Sequence, residues 1–197
     1  GDGALGDIAH LLGNLDERLV LDAADHLPQK TLFPHDRRTH EYLRFEDEER
    51  PIGIQIFGGE EIRVLHYPNG HTDGESVVNF VKANVFHLGD DFFVGRFPFV
   101  DLDSGGNVQG LINNVAAMIA KFPADAKLIP GHGPLATMDD LKAYHQLMVE
   151  STTVIQDAMK AGKTLDEIKA AGLPEKFKEA GSGFIKTPMW IEIVQRS

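Results

Sequence analysis

His132 lies in the run Ile129-Pro130-Gly131-His132-Gly133-Pro134, where an apolar strand predicted from Lys127 to Ile129 ends in a Pro-Gly turn. Such a turn presents one imidazole at the end of a strand and then directs the chain away. Histidine is the commonest metal-binding side chain in proteins, and a strand end holds it in a defined place. His132 is therefore a candidate metal ligand, although a hydrogen-bonded turn histidine would have the same surroundings.

Two similar motifs precede His132, and each follows an apolar strand and contains glycine. Asn69-Gly70-His71-Thr72-Asp73-Gly74 contains His71, and His87-Leu88-Gly89-Asp90-Asp91 contains Asp90. One such motif alone is an ordinary turn or cap, but three in this order are unlikely to be accidental. A carboxylate oxygen and two imidazole nitrogens suit Zn²⁺, with iron or manganese as alternatives. The sequence therefore predicts a metal site at the strand ends.

Composition narrows the possible partners of this chain. It has 197 residues, of which 42% are hydrophobic and 25% charged, as in an ordinary globular protein, and we expect a single domain over residues 1–197. The net charge of −11 argues against nucleic acid or an anionic membrane as a partner, since both need a basic surface. Cysteine is absent, so any metal ligand must be His, Asp or Glu.

The elements that position these motifs follow from hydrophobic periodicity, capping residues and turn signals. An amphipathic helix is predicted over Asn107–Phe122, and a long helix capped by Thr137 and ended by Gly162 runs from Met138 to about Ala161. Two shorter helices are predicted over Asp7–Leu15 and from Thr164 to about Ala171, and the charged segment Asp36–Arg50 is predicted to be a solvated connector. Strands are predicted at Arg18–Leu21, Thr31–Phe33, Ile52–Phe57, Glu61–His66, Ser76–Val81, Asn84–Leu88 and Lys127–Ile129, and Asp91–Val94 is predicted to be a strand or loop. This order predicts an α/β sandwich with helices outside.

The three motifs resemble the later metal motifs of the metallo-β-lactamase-fold hydrolases. The similarity runs from about Ile52 to the end of the chain, and its closest match is an uncharacterised hydrolase-like branch that carries segments like Pro68–Gly74 and Phe93–Gly106. The resemblance implies an αββα sandwich. It also implies that His71 binds one zinc, that Asp90 bridges two, and that His132 binds the second.

The chain departs from this family upstream of His71. The family's hallmark HxHxDH is missing, and the nearest segment is Leu21-Asp22-Ala23-Ala24-Asp25-His26, which keeps only the last two letters. Leu21 and Ala23 stand where two histidines are expected, and apolar side chains cannot bind a metal. The resemblance finds no counterpart of the family's opening strands before this segment, and so implies a fold shortened at its N-terminus.

This departure implies one metal ion, or none, in place of a binuclear site. Asp25, His26, Asp90 and His132 would complete one zinc position by the resemblance, and the position of His71 would lack two imidazoles. Asp25 would then both bind the metal and orient a water nucleophile. A turn pair before Pro28 explains Asp25 and His26 equally well. His35 and His40 are alternative upstream ligands.

The remaining histidines and two aspartates are weaker candidates for the metal site. His10 and His145 fall within helix patterns and are expected to face solvent. His66 and His87 lie on predicted strands, where they could support a ligand or belong to the core or surface. Asp73 and Asp91 adjoin candidate ligands and could orient them or hold turns.

The segment after the second motif contains two phenylalanines. Phe97 and Phe99 would be costly to leave exposed in a loop, so they either line a substrate pocket beside Asp90 or pack under the helix that begins near Asn107. Asp103 and Ser104 are candidate caps for that helix.

Two functional hypotheses follow. The first is a zinc-dependent hydrolase that acts through a metal-activated water on a small lactam, lactone, thioester or other ester, with Asp25 and Asp90 as catalytic carboxylates. The second is a non-catalytic family member that serves in binding or assembly, for example as a homodimer that covers exposed strand edges. The sequence places either one in solution but does not distinguish a periplasmic or secreted protein from a cytoplasmic one.

Overall fold

The computed structural model describes residues 51–57 and 60–197, with side chains from residue 61 onward. The predicted helix over Asp7–Leu15, the predicted strands Arg18–Leu21 and Thr31–Phe33 and the charged connector over Asp36–Arg50 lie outside the described residues. So do the candidate ligands Asp25, His26, His35 and His40, as well as His10.

The described residues form one five-stranded sheet with the strand order β1-β2-β3-β4-β5. β1 (Pro51–Phe57) and β2 (Glu60–His66) are antiparallel, and β3 (Ser76–Phe80) and β4 (Val85–His87) continue the antiparallel series. Alternating apolar residues produce this meander, in which a loop of residues 67–75 joins β2 to β3, and both predicted strand pairs are confirmed.

β5 (Lys127–Ile129) joins the sheet beside β4 in parallel. Parallel neighbours need a long crossover connection. Here the connection contains α1 (Val108–Lys121), whose buried face includes Leu111, Val115 and Met118. The predicted amphipathic helix is confirmed.

Three more helices follow the sheet: α2 (Met138–Lys160), α3 (Leu165–Ala171) and α4 (Thr187–Arg196). Thr137 and Thr164 begin α2 and α3 with capping boxes, in which each threonine and the acidic residue three positions later bond each other's backbone N–H. The predicted starts of both helices are thereby confirmed.

Both faces of the sheet carry buried apolar side chains. Phe86 and Leu128 belong to the main core on the helix side, where the Phe86 ring stacks on Phe122 at 4.0 Å. Val85 and Ile129, one residue away on the same strands, belong to a smaller cluster with Phe80. A sheet that buries both faces is typical of a layered α/β protein, which confirms the mixed α/β class.

Two local predictions are corrected. Asn107 begins α1, because its side-chain oxygen accepts a hydrogen bond from the N–H of Gly110, whereas Asp103 and Ser104 belong to a separate turn capped by Asp101. His145 does not face solvent: it is half-buried, and its Nε2 is buried with no hydrogen-bond partner among the described residues.

Among the described residues, no helix is long and apolar enough to cross a membrane.

Candidate metal centre

The strand directions bring the three sequence motifs to one edge of the sheet. β4 and β5 are parallel, so the segments that contain Asp90 and His132 leave the sheet at the same edge. β3 is antiparallel to β4, and the loop between β2 and β3 that carries His71 therefore reaches that edge too. Beyond the strands, the pairing continues in a parallel bridge between Phe93 and His132.

Asp90 lies between the two histidines, and each of its oxygens faces a different imidazole. Nε2 of His71 is 3.6 Å from Oδ2, and Nε2 of His132 is 3.4 Å from Oδ1. The Asp90 side chain is 37% exposed, so the centre is open on one side. Gly131 is needed for this approach, because a Cβ at that position would overlap Oδ1 of Asp90.

His71 is fixed by hydrogen bonds at both its ring and its backbone. Its Nδ1 is 2.7 Å from the carbonyl oxygen of Phe99, and a carbonyl can only accept, so Nδ1 carries the proton. Because Nδ1 is engaged with Phe99, Nε2 is the ring nitrogen that faces Asp90 and is placed to act as a donor to a metal. A backbone carbonyl on the second ring nitrogen is a common support for a metal-binding histidine.

The backbone of the loop that carries His71 is held against the start of α1. The N–H of Asp101 donates to the carbonyl oxygen of His71 at 2.9 Å, and the N–H of Asn107 donates to that of Gly70 at 3.0 Å. This close contact requires glycine at position 110, since a Cβ there would overlap the carbonyl oxygen of Asn69. The first turn of α1 thus positions His71.

Asp91 is fully buried, in contrast with its neighbour Asp90. Its Oδ1 accepts a hydrogen bond from the backbone N–H of His71 at 3.1 Å, and Gly70 leaves the space for this approach. Burial raises the pKa of the Asp91 carboxyl to about 7, although the hydrogen bond from His71 acts in the opposite direction. Its other oxygen, Oδ2, has no hydrogen-bond partner among the described residues.

His87 and Tyr144 are further titratable groups near the centre. Burial lowers the pKa of His87, whose Nδ1 accepts from the N–H of Gly89 at 3.2 Å. Burial also raises the pKa of Tyr144, and the negative charges of Asp91 and Asp90 add to that shift. His87 is therefore a neutral ring that supports the turn before Asp90.

The distances around Asp90 suit donors that share an ion better than donors that bond each other. N–H···O hydrogen bonds span about 2.7–3.2 Å, and both imidazole–carboxylate distances are longer. Two donors on one tetrahedral zinc, each about 2.0–2.1 Å from it, lie roughly 3.3 Å apart. The pair of His132 and Asp90 at 3.4 Å fits this separation, and the pair of His71 and Asp90 at 3.6 Å is slightly wider.

These distances account for only two donors to each ion: Asp90 with His132, and Asp90 with His71. Among residues 51–57 and 60–197, no group of three or more His, Cys, Asp or Glu side chains is arranged to hold a metal. Asp25 and His26, the two remaining ligands implied by the sequence, lie outside the described residues.

Aromatic rings surround the two histidines. Phe93 stacks on the His132 ring at 4.7 Å and lies 6.5 Å from the His71 ring. Phe99 meets His71 edge to face at 5.7 Å. Phe97 is instead buried and stacks on Trp190 of α4 at 5.2 Å. Each of the two predicted roles for this segment applies to one residue: Phe97 packs in the core, and Phe99 borders the centre.

The supporting residues were partly missed by the sequence analysis. His66 makes a hydrogen-bonding contact of 2.7 Å with the carbonyl oxygen of Asp73, which holds the β2–β3 loop and does not involve Asp90. The Phe99 carbonyl gives no sequence signal, because every residue has one. The Phe97-Pro98-Phe99 pattern predicted a pocket wall beside Asp90 or packing under α1, and not a backbone carbonyl that holds His71.

The fold of this chain is similar to that of two solved sulfatase structures. No protein-family model matches the chain. The structure of a sec-alkyl sulfatase double mutant is similar over 77% of this chain and 26% of its own, with 13% identity and a TM-score of 0.58. The sec-alkylsulfatase from Pseudomonas sp. gives a TM-score of 0.55 over the same shares, at 14% identity. These sulfatases have the metallo-β-lactamase fold, and the predicted fold class is thereby confirmed.

Two further proteins are similar over about half of the chain or less. An uncharacterized protein of Aquifex aeolicus is 34% identical over 88 residues, which are 45% of this chain and 41% of the relative. A metallo-β-lactamase from Pontibacter korlensis matches 49% of this chain and 45% of its own, at 16% identity and a TM-score of 0.44. The chain thus spans less than half of this curated relative and about a quarter of the sulfatases.

Proposed function

We propose that the protein is a metal-dependent hydrolase that cleaves a small lactam, lactone, thioester or other ester with a metal-activated water. The observation that carries this proposal is the Asp90 carboxylate, which has a different imidazole nitrogen facing each oxygen at 3.4 and 3.6 Å. The metallo-β-lactamase fold supports it. The proposed ligands are His71, Asp90, His132, Asp25 and His26, and the proposed ion is Zn²⁺, as one or two ions.

The chain's own residues supply positioning and charge. A bound Zn²⁺ would lower the pKa of its water from about 15.7 towards 7 and polarise the carbonyl of the substrate. His71 is oriented for binding because Phe99 and Asp91 fix its ring and its backbone. Asp90 holds the centre together, and Asp25 and Asp90 are the carboxylates proposed to orient the attacking water.

The first experiment measures metal content. Protein purified without chelator or nickel affinity, then supplied with Zn²⁺ and dialysed, should hold one ion per chain by mass spectrometry. One ion supports the set of Asp25, His26, Asp90 and His132, whereas two ions would require upstream ligands beyond that set. No ion in the folded protein would contradict the proposal.

Matched variants test the site itself. His132→Ala should abolish stoichiometric binding, and His66→Gln should leave it unchanged, since a glutamine amide N–H can still donate to the Asp73 carbonyl oxygen and hold the loop. Metal-loaded wild type should then be assayed on a panel of esters, thioesters, lactones and lactams. A secondary alkyl sulfate belongs in the panel because of the similar sec-alkyl sulfatase.

The second candidate is a non-catalytic protein that acts in binding or as a homodimer. It is favoured by the sequence upstream of His71, in which Leu21 and Ala23 stand where the HxHxDH motif has two histidines. Sedimentation velocity gives its test: a dimer that holds no metal and cleaves nothing in the panel would support it, and a metal-loaded active monomer would refute it.

A further inference from the structure

Phe99 contributes to the centre through both its backbone and its ring. Its carbonyl oxygen accepts the hydrogen bond from Nδ1 of His71, and its ring meets the same imidazole edge to face at 5.7 Å. Two residues later, the backbone N–H of Asp101 donates a hydrogen bond to the carbonyl oxygen of His71. The backbone that leads out of Phe99 is thus fixed relative to His71 at two points, which restricts the direction in which the Phe99 side chain leaves.

The ring of Phe99 is exposed where its neighbours are buried. Phe97 and Val100 are 1% and 2% exposed, whereas Phe99 is 39% exposed. Among the exposed large apolar side chains of the described residues, Phe99 is the one in ring contact with a candidate ligand. Leaving an aromatic ring in water sacrifices hydrophobic stabilisation that a bound apolar group would restore.

We infer that the Phe99 ring is the wall of the site that receives an apolar group bonded to the reacting centre of the substrate. This inference rests on the proposed hydrolase function and names its substrate class: esters and related compounds with an aryl or branched alkyl group next to the bond cleaved. The polar reacting group would lie towards Asp90 and His132, and the apolar group would lie on Phe99.

The position of Phe99 makes this wall rigid. A site binds an apolar group best when its aromatic lining is already in place, since no side-chain freedom is then lost on binding. Phe93 forms a second aromatic surface, but it is 7% exposed and stacks on His132. Phe93 therefore supports the His132 ring by stacking on it, and the more exposed Phe99 ring is the one that faces the substrate.

The test uses ester pairs that differ only in the apolar group. Methyl acetate is compared with benzyl acetate, and methyl acetate with methyl phenylacetate, so that the group is varied on each side of the cleaved bond. Wild type should prefer the aromatic member of at least one pair in kcat/KM. Phe99→Ala should reduce that preference about tenfold, as expected for the loss of one aromatic contact, and Phe99→Leu should retain most of it.

Metal content separates a wall from a structural role. Substitution of the side chain keeps the Phe99 carbonyl, so Phe99→Ala should bind the same amount of Zn²⁺ as wild type. Phe184→Ala is the matched control, because this phenylalanine is 84% exposed and its ring contacts neither His71 nor His132. A lost preference in Phe184→Ala, an unchanged preference in Phe99→Ala, or lost metal in Phe99→Ala would each overturn the inference.

A second readout keeps this test distinct from that of the hydrolase proposal. If wild type cleaves nothing in the panel, the proposed function fails, and calorimetry with phenylacetate and acetate still examines the wall. Tighter binding of phenylacetate that is lost in Phe99→Ala supports the wall. Equal binding of the two acids to wild type overturns it.

Discussion

Asp90 and Asp91 are neighbours with identical side chains in opposite environments. Asp90 is 37% exposed and faces two imidazoles, whereas Asp91 is fully buried and faces the backbone of His71. The tight turn Gly89–Asp91 after β4 directs the two side chains apart. One carboxylate is thus available for a ligand role, and the other fixes the loop that carries a ligand.

The role of Asp91 gives a prediction at the scale of one residue. Asp91→Ala should lower the free energy of unfolding by about 1–3 kcal/mol, because the partly buried N–H of His71 loses its acceptor. Asp91→Asn should cost less than about 1 kcal/mol, since its amide oxygen can accept the same hydrogen bond and no charge is buried. Urea denaturation monitored by circular dichroism measures both.

Asp103→Ala serves as the control for this pair. The Asp103 side chain is 94% exposed, so its removal should change stability by no more than about 0.5 kcal/mol. Equal stabilities for Asp91→Ala and wild type would show that the hydrogen bond to His71 contributes nothing. Asp91→Asn should also keep the metal content of wild type, because the loop position is retained.

At this scale the sequence predicted the candidate metal ligands and one of the residues that support them, Asp91, but not the support that Phe99 gives His71. Strand ends, glycine and residue type are visible in the motifs around His71, Asp90 and His132. The support of His71 by the Phe99 carbonyl is not visible, because it depends on how a loop folds over a distant turn. The candidate role of Asp91 in orienting a ligand agrees with its hydrogen bond to the His71 backbone.

Among the elements, α1 positions the site through its first turn. Gly110 lies against the carbonyl oxygen of Asn69, two residues before His71. Alanine is favoured over glycine within a helix by about 1 kcal/mol. Helix propensity and local packing therefore make opposite predictions for Gly110→Ala.

We expect packing to prevail in Gly110→Ala. The added Cβ overlaps a backbone atom, which no side-chain rotation can relieve, so the loop must move and carry His71 with it. The melting temperature should fall by several degrees, and bound metal should decrease. Asn113→Ala, on the exposed face of the same helix, should leave both quantities close to wild type. A higher melting temperature for Gly110→Ala would contradict the account of the loop.

The capping box of α2 gives a prediction that depends on pH. Hydrogen bonds from the Thr137 hydroxyl and N–H lower the pKa of Asp140 below its usual 3.8. A carboxyl with a lowered folded-state pKa stabilises the fold above its unfolded pKa, and this contribution disappears as pH falls through the folded value. Thr137→Ala should therefore cost about 1 kcal/mol at neutral pH and less in acid.

Urea titrations from about pH 7 to about pH 3 would follow this change. Thr153→Ala, on the exposed side of α2, is the matched control, because it removes a threonine without removing a cap. Its effect should be small at every pH. A cost of Thr137→Ala that grows in acid would have the wrong sign for the capping box.

The boundaries of elements were predictable where the signals were local. Thr137, Thr164 and the periodic apolar residues of α1 each act within a few residues, so the starts of α2 and α3 and the extent of α1 were predicted correctly. The choice of Asn107 over Asp103 as the cap of α1 was not predictable, because both are good capping residues. The loop over His71 decides between them, since the Asn107 N–H donates to Gly70.

The whole described sheet acts as the platform of the candidate centre. One parallel pair and its antiparallel neighbour bring three strand-end segments together, although the candidate ligands are far apart in sequence. Such an arrangement could be predicted once the directions of β3, β4 and β5 were known. Sequence periodicity reports that a strand exists and gives no direction relative to its neighbours, so the fold had to be inferred from the resemblance.

Metal binding should be visible as stability of the whole molecule. An ion that binds the native state alone raises the free energy of unfolding by about 2.7 kcal/mol when its free concentration is 100 times its dissociation constant. For a chain of this size that is a rise of about 5–10 °C in melting temperature. The rise should grow with the logarithm of the Zn²⁺ concentration, as mass action requires.

Asp90→Asn and His132→Ala should both remove this dependence on Zn²⁺, because each removes one donor of the closer pair at 3.4 Å. His66→Gln should keep it, since a glutamine amide N–H can still donate to the Asp73 carbonyl oxygen and hold the loop that carries His71. Differential scanning calorimetry with rising Zn²⁺ compares all four proteins under one condition. A rise that survives in Asp90→Asn would place the ion elsewhere in the molecule, because Asp90 is the carboxylate that both candidate histidines face.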